Sequence, residues 1–259
     1  TKLTGDNRLA QSAAALGTSS NINRAADILQ LLMLQSGVEF YDSSKSSITL
    51  DDGSSGSSGN GSAAERALQF YTQFSNPTSK AYTWNSKQPY SIDAFTQGKV
   101  TFLFGYSYLR PILTAKQSFL DYGVAPMPQA STIANKVNFG SYWADTVWNG
   151  SKNKSVAWDF LKFAASYTEN QIYVNGTQQP SSRKDVLTEQ QKNADMAVFA
   201  DAVFSARTVV KPHSAQFDQI LNDLIDDVSL NGISTQSALS DATTKLNLLL
   251  KKYPVSGSN

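Results

Sequence analysis

The sequence predicts an α/β fold rich in helices. Short runs of β-forming residues, bounded by glycine or proline, alternate with longer stretches whose apolar residues recur at helical spacing. At 259 residues the chain can also bury a large core, as one big domain or as two lobes.

Taken in order, Thr18-Ser19-Ser20-Asn21 offers several N-capping side chains. Ile22 to Gln35 follows with Ile22, Ala25, Ala26, Leu29, Leu32 and Met33 on one helical stripe. Ser36-Gly37 closes that helix in the manner of a C-terminal cap, and Phe40-Tyr41 opens a more polar, irregular stretch. Residues 51–62, built of Gly, Ser, Asp and Asn, hold too little apolar surface to offset the entropy of ordering, which predicts a flexible surface loop. Ala63 to Phe74 is a second amphipathic helix, stopped by Asn76-Pro77. Ser91 to Gly98 is a short helix. Val100 to Tyr106 reads as a buried strand, Tyr122 to Pro128 as a second and Phe139 to Trp148 as a third. Helical patterns then run over Ser155 to Ser166, Asp185 to Ala206, Ala215 to Leu230 and Thr235 to Tyr253, with no internal repeat of fixed period.

Composition narrows the function. Basic and acidic residues nearly cancel, 22 against 21, so charge count predicts no nucleic-acid partner and no attraction to an anionic membrane. The longest apolar runs, such as Ile28 to Leu34, are far short of the roughly 20 residues a spanning helix needs. The chain opens on Thr1-Lys2-Leu3-Thr4 without an initiator Met, which predicts a mature, trimmed or truncated start. Cysteine is absent, which removes disulfide scaffolds, thiolate catalysis and Cys-based metal sites. With a single histidine, His213, a transition-metal site lacks its usual ligand cluster and no metal is expected. No Gly-x-Ser-x-Gly elbow supplies a nucleophile. The neighbouring acids Asp226-Asp227 point about 100° apart on a helix, so they cannot face one substrate as a glycosidase pair does. Gly53 to Gly61 lacks the Gly-Lys-Ser/Thr ending of a phosphate loop. No catalytic residue and no cofactor is expected: the chain reads as a binder, not an enzyme.

Several motifs then occur together in order. Asp93-Ala94-Phe95-Thr96-Gln97-Gly98-Lys99 leads into Val100-Thr101-Phe102-Leu103-Phe104-Gly105-Tyr106-Ser107. Tyr122 to Pro128 follows, then Gly140 to Trp148, Lys154 to Ala165, and Gln179-Pro180-Ser181-Ser182-Arg183-Lys184-Asp185. This set resembles the family 1 extracellular solute-binding proteins of ABC importers, the maltose- and sugar-binding type, over most of the chain. The resemblance implies a two-lobe, helix-rich fold of the type II periplasmic-binding-protein kind. It also implies that the first lobe is incomplete, because the family's opening β-α-β half-lobe has no counterpart here. On that reading residues 1–138 are mostly one α/β lobe carrying the loop 51–62, residues 139–205 return to the other lobe, and 206–259 are C-terminal helices.

The function so implied is binding of an extracellular sugar or oligosaccharide in an inter-lobe cleft and its delivery to ABC transporter permease subunits. The protein is expected to be bacterial, monomeric, and periplasmic or extracellular, meeting a membrane only through a lipid anchor outside this chain. The alternative is a structural or protein-interaction module that keeps the fold without transport. Sugar rings are gripped by aromatic faces, with polar groups fixing the hydroxyls. Tyr106, Tyr108 and the Tyr142-Trp143 pair fall where the family places cleft aromatics, with Ser107 between the first two as a further candidate, although each aromatic could equally be a core or lobe-surface residue. Asp145, two residues beyond Trp143, could accept hydroxyl hydrogen bonds or be a solvated loop acid. Asn21 is a helix cap by position, with ligand binding the lesser option. Arg183 is expected to hold its loop through an ion pair or carbonyl contact, and Phe217 to lie in the core.

Overall fold

The computed structural model describes residues 1–3, 9–50, 61–117, 120–130 and 136–255, so all of the expected loop at 51–62 except Gly61 and Ser62 lies outside the described residues. The chain groups into two compact units. The first comprises Thr1–Gly105, Gln129–Phe139 and Arg207–Asn259; the second comprises Tyr106–Pro128 and Gly140–Ala206. The chain passes between the two units at 105/106, 128/129, 139/140 and 206/207.

The first unit holds a sheet of β1 (Lys2–Leu3), β2 (Leu9–Ala14) and β3 (Val100–Phe102), in that order. β1 runs antiparallel to β2, and β2 runs parallel to β3 with Ser12 opposite Val100 and Ala14 opposite Phe102. The strand at β2 was not expected, because its sequence, Leu-Ala-Gln-Ser-Ala-Ala, is poor in β-formers. Its pairing supplies what propensity does not. Ser12 N–H donates to Lys99 O at 2.8 Å, and the Thr83 hydroxyl oxygen accepts from Ala13 N–H at 2.8 Å. β3 is shorter than the expected Val100 to Tyr106, and only Val100 is buried in it.

After β2 the chain turns at Gly17, whose φ is +107° and where an added Cβ would lie 2.5 Å from Ser75 N. Helix α1 (Ala25–Gln35) starts three residues later than the expected Ile22, because Arg24 adopts a left-handed conformation at φ 58°. Helix α2 (Ala63–Thr72) begins on a capping box: Ser62 Oγ accepts from Glu65 N–H at 3.1 Å while Glu65 Oε2 accepts from Ser62 N–H at 2.8 Å. It tightens into a 3₁₀ turn at Gln73–Ser75, and α3 (Ser91–Thr96) leads to β3. In the C-terminal portion, α9 (Ser214–Ser229) and α10 (Thr235–Lys252) pack on each other, α9 also on α1 and α10 on α2. The core between these helices and the sheet includes Leu29, Met33, Leu68, Tyr71, Trp84, Phe217, Leu221 and Leu246, none more than about 1% exposed. Phe217 thus takes the expected core position. His213 caps α9, its Nδ1 accepting from Gln216 N–H at 3.4 Å, and its ring lies 5.1 Å from that of Tyr253.

The second unit is helical: α4 (Leu109–Lys116), α5 (Lys154–Ala164), α6 (Tyr167–Thr177), α7 (Lys184–Gln190) and α8 (Ala197–Val203). The pattern read as one helix from Asp185 to Ala206 breaks into α7 and α8, and α4 and α6 were not foreseen. The expected strand at Tyr122 to Pro128 does not form, and that at Phe139 to Trp148 shrinks to β4 (Asn138–Phe139), which pairs with β5 (Ala206–Arg207) as a separate two-stranded sheet. A strand exists only where a neighbour accepts its backbone hydrogen bonds, so β-forming sequence alone is insufficient. Leu109, Leu113, Val174, Val186, Leu187, Met196 and Ala200 are buried in this unit, but no residue of α5 is.

Candidate functional site

The chain leaves β3 through Leu103-Phe104-Gly105 and makes a tight turn into α4. Leu109 N–H donates to Tyr106 O, and Arg110 N–H to Ser107 O, both at 3.0 Å, so residues 106–108 form the lead-in to the helix. Leu109 and Leu113 are each 4% exposed and anchor α4, while Ser107 is buried beneath the turn. Tyr106 and Tyr108 flank Ser107, half-buried, and their rings stack with centroids 6.0 Å apart and 23° between planes. Such a pair presents a broad, rigid aromatic surface at the start of α4.

Arg110 fixes the helix from behind. Its Nη2 lies 3.4 Å from Asp195 Oδ1 and its Nη1 3.5 Å from Met196 Sδ, tying α4 to the segment between α7 and α8. Sequence reasoning passed over Arg110, although Pro111, tolerated only in a first helical turn, marks a helix start there.

Trp143 and Asp145 lie in the same unit, on a stretch without regular structure. Trp143 is 100% exposed and Asp145 is exposed, as are Tyr142 and Trp148. An exposed indole offers an apolar face, and the carboxylate two residues on can accept hydrogen bonds from a bound molecule. Arg183 behaves as expected: Nε and Nη2 donate to Asp185 Oδ1 and Oδ2 at 3.1 and 2.7 Å, and Nη1 donates to Ala165 O at 2.8 Å. The Arg183 guanidinium, bonded to the Asp185 carboxylate, holds that carboxyl below its ordinary range.

Asn21 stands apart, in the first unit. It is 9% exposed and does not cap α1, which has no side-chain cap at all. Its Nδ2 donates to Asn85 O at 3.0 Å and Gln88 O at 2.9 Å, and its Oδ1 accepts from Thr18 Oγ1 at 2.6 Å and Trp84 Nε1 at 3.1 Å. Every hydrogen-bonding direction of the amide is thereby occupied by the protein. The helix-cap expectation is corrected: Asn21 pins the segment at 85–88 and the Trp84 indole to the loop before α1.

A cleft of about 380 Å³ in the first unit is lined by Gln69, Gln73, Ser75, Asn76 and Ser229 among others, and none of the candidate residues borders it. Among the described residues no group of three His, Cys, Asp or Glu side chains could hold a metal ion.

Comparison with known proteins gives this geometry a context. The family described as bacterial extracellular solute-binding protein matches residues 2–200. Among solved structures, the GacH receptor of Streptomyces glaucescens, determined with and without acarbose, is 20% identical, with 94% of this chain covering 60% of that one at a TM-score of 0.67. The cyclic alpha-maltosyl-1,6-maltose binding protein of Arthrobacter globiformis is 16% identical over 95% of this chain and 61% of its own, TM-score 0.68. The sugar-binding protein MalE of Xanthomonas citri is 13% identical over 96% of this chain and 60% of its own, TM-score 0.69. The chain therefore has their fold, the helix-rich α/β architecture of periplasmic binding proteins, and spans about three fifths of their length.

Proposed function

The chain belongs to the bacterial extracellular solute-binding protein family, and from that premise we propose that it binds a sugar or oligosaccharide and delivers it to an ABC importer. Members of this family bind solutes without transforming them, in keeping with a chain read as a binder and not an enzyme. The observation that carries the sugar reading is the stacked Tyr106–Tyr108 pair at the head of α4, with exposed Trp143 and Asp145 in the same unit. The names of the solved neighbours support the same class, since they bind acarbose or a cyclic maltosyl-maltose.

In this proposal Tyr106, Tyr108 and Trp143 stack on ring faces, and Asp145 accepts hydroxyl hydrogen bonds. Ser107 holds the turn that sets the spacing of the two tyrosines. Asn21, its amide saturated, belongs to the framework. The protein would work as a monomer in the periplasm or outside the cell, held near its permease by a lipid anchor outside this chain.

Isothermal titration calorimetry against a panel of maltodextrins and other oligosaccharides tests the proposal. Binding is expected, and Tyr106→Ala and Tyr108→Ala should each weaken it by about tenfold or more, the loss of an aromatic anchor being worth at least about 1.4 kcal/mol. Absence of heat across the panel would defeat the sugar reading.

A further inference from the structure

Four asparagines of this chain precede a glycine: Asn60, Asn149, Asn175 and Asn231. Such a pair is chemically labile, because glycine carries no Cβ to shield its backbone nitrogen from the preceding side-chain amide. Attack still requires that nitrogen to be free of the backbone ladder. Asn60 lies outside the described residues, and the other three sites differ in what the fold permits. Asn175 and Gly176 lie within α6, whose ladder takes up the backbone N–H groups. Asn231 follows α9, and its amide is held: Nδ2 donates to Asp227 Oδ1 at 3.0 Å, and that carboxylate opposes negative charge building on the amide. The turn itself is closed by Asn231 N–H and Ile233 N–H, which donate to Asp226 O at 3.1 Å and Asp227 O at 2.9 Å.

Asn149 differs on each count. With Gly150 it forms the exposed middle of a turn that Ser151 N–H closes by donating to Trp148 O at 3.0 Å. A turn of this kind leaves the N–H of its third residue, here Gly150, outside the closing bond. The Asn149 amide is also polarised: its Oδ1 accepts from Lys154 Nζ at 3.1 Å, the first residue of α5. An ammonium on that oxygen draws electron density from Cγ and stabilises the negative charge that develops there on attack.

We propose that Asn149 is a site of self-modification, with Lys154 activating its amide toward the Gly150 nitrogen. The Gly150 N–Cγ bond forms and the Cγ–Nδ2 bond breaks. Water carries the proton from the Gly150 nitrogen to Nδ2, which leaves as ammonia, and a cyclic imide remains. A second water opens the imide at Cγ, giving aspartate, or at the Asn149 carbonyl carbon, giving isoaspartate, in which the main chain runs through the side chain. Nothing is oxidised or reduced. Either product adds one carboxylate to the chain, raising the acidic count from 21 to 22, equal to the basic count, and taking the formal net charge from +1 to zero. The aspartate product places that carboxylate beside the Lys154 ammonium at the start of α5.

The test incubates the purified chain in mildly alkaline buffer and follows Asn149, Asn175 and Asn231 by peptide mapping with mass spectrometry, resolving aspartate from isoaspartate. Conversion at Asn149 should run at least about tenfold faster than at the other two, which must wait for local opening. In concentrated urea, where no fold distinguishes them, the three sites should converge. Lys154 is exposed, so replacing it leaves the packing alone. Lys154→Gln should slow conversion at Asn149 by about threefold, a modest factor because water screens the charge, and Lys154→Arg should retain the wild-type rate. Equal rates at the three sites in the folded chain would overturn the proposal. So would aspartate without isoaspartate, because direct hydrolysis bypasses the imide. An unchanged rate in Lys154→Gln would overturn it too, leaving Asn149 with no more than the reactivity of its sequence. No readout involves a solute, so the outcome is independent of the sugar assignment.

Discussion

At Asn21, two backbone carbonyls, a hydroxyl and an indole converge on one amide that is almost wholly removed from water. Asn21→Ala would leave the Trp84 N–H, on a side chain with no exposure, without its acceptor. Stranding buried donors and acceptors costs about 1–3 kcal/mol each, so urea unfolding should show a loss of at least about 2 kcal/mol with no change in solute affinity. Two tyrosines set the alkaline limit of the same unit. Burial pushes the Tyr41 hydroxyl up to about 12, where it donates to Val210 O, and pushes Tyr71, which donates to Thr18 O, higher still. A value raised in the folded state means that the contribution is complete below the unfolded pKa of about 10 and is lost as pH rises through the folded value. Stability should therefore fall between pH about 10 and 12, and Tyr41→Phe should flatten that decline in denaturant midpoints measured across the range. Tyr71 was legible as one position of the apolar stripe of its helix, whereas Tyr41, in a stretch read as irregular, carries no local mark of its burial.

Among the elements, those whose signals are local were legible and those that depend on a partner were not. The helices α9 and α10 follow their apolar periodicity to within a residue or two of the expected limits, and α2 ends its regular turns where Asn76-Pro77 approaches. Its capping box is equally local. Ser62→Ala should destabilise the first unit by about 1 kcal/mol, visible as a lower midpoint in thermal unfolding followed by circular dichroism. The strands behaved oppositely. Alanine-rich β2 exists because β3 lies alongside it, whereas residues 122–128, better β-formers, make no strand. The candidate site divides in the same way. The motif around Gly105 singled out Tyr106 and Tyr108 but placed them within or just after a strand; that they enter a helix, and that their rings stack, depends on the turn into α4 and on the buried Leu109, which were not legible. The cap assigned to Asn21 failed because Arg24, by turning left-handed, moved the helix start beyond its reach.

For the molecule as a whole, the two units differ in how much of themselves they bury. The continuous core lies in the first unit, with Leu29, Met33, Leu68, Phe217 and Leu246 at its centre, while the second buries scattered residues and leaves α5 open. Units with few buried apolar contacts open at lower free energy. Amides of α5 and α6 should accordingly exchange at lower urea concentrations than those of α9 and α10, in a native-state exchange series. The four tryptophans follow the same partition: Trp84 is wholly buried in the first unit, whereas Trp143, Trp148 and Trp158, 49–100% exposed, all belong to the second. Indole emission shifts to the red when water can relax around the excited ring. The spectrum of this chain is therefore a sum of one blue component and a red one, each reporting on a different unit. Iodide should quench the red component and spare the blue. The unfolding of either unit can then be followed by its own colour, without attaching a label.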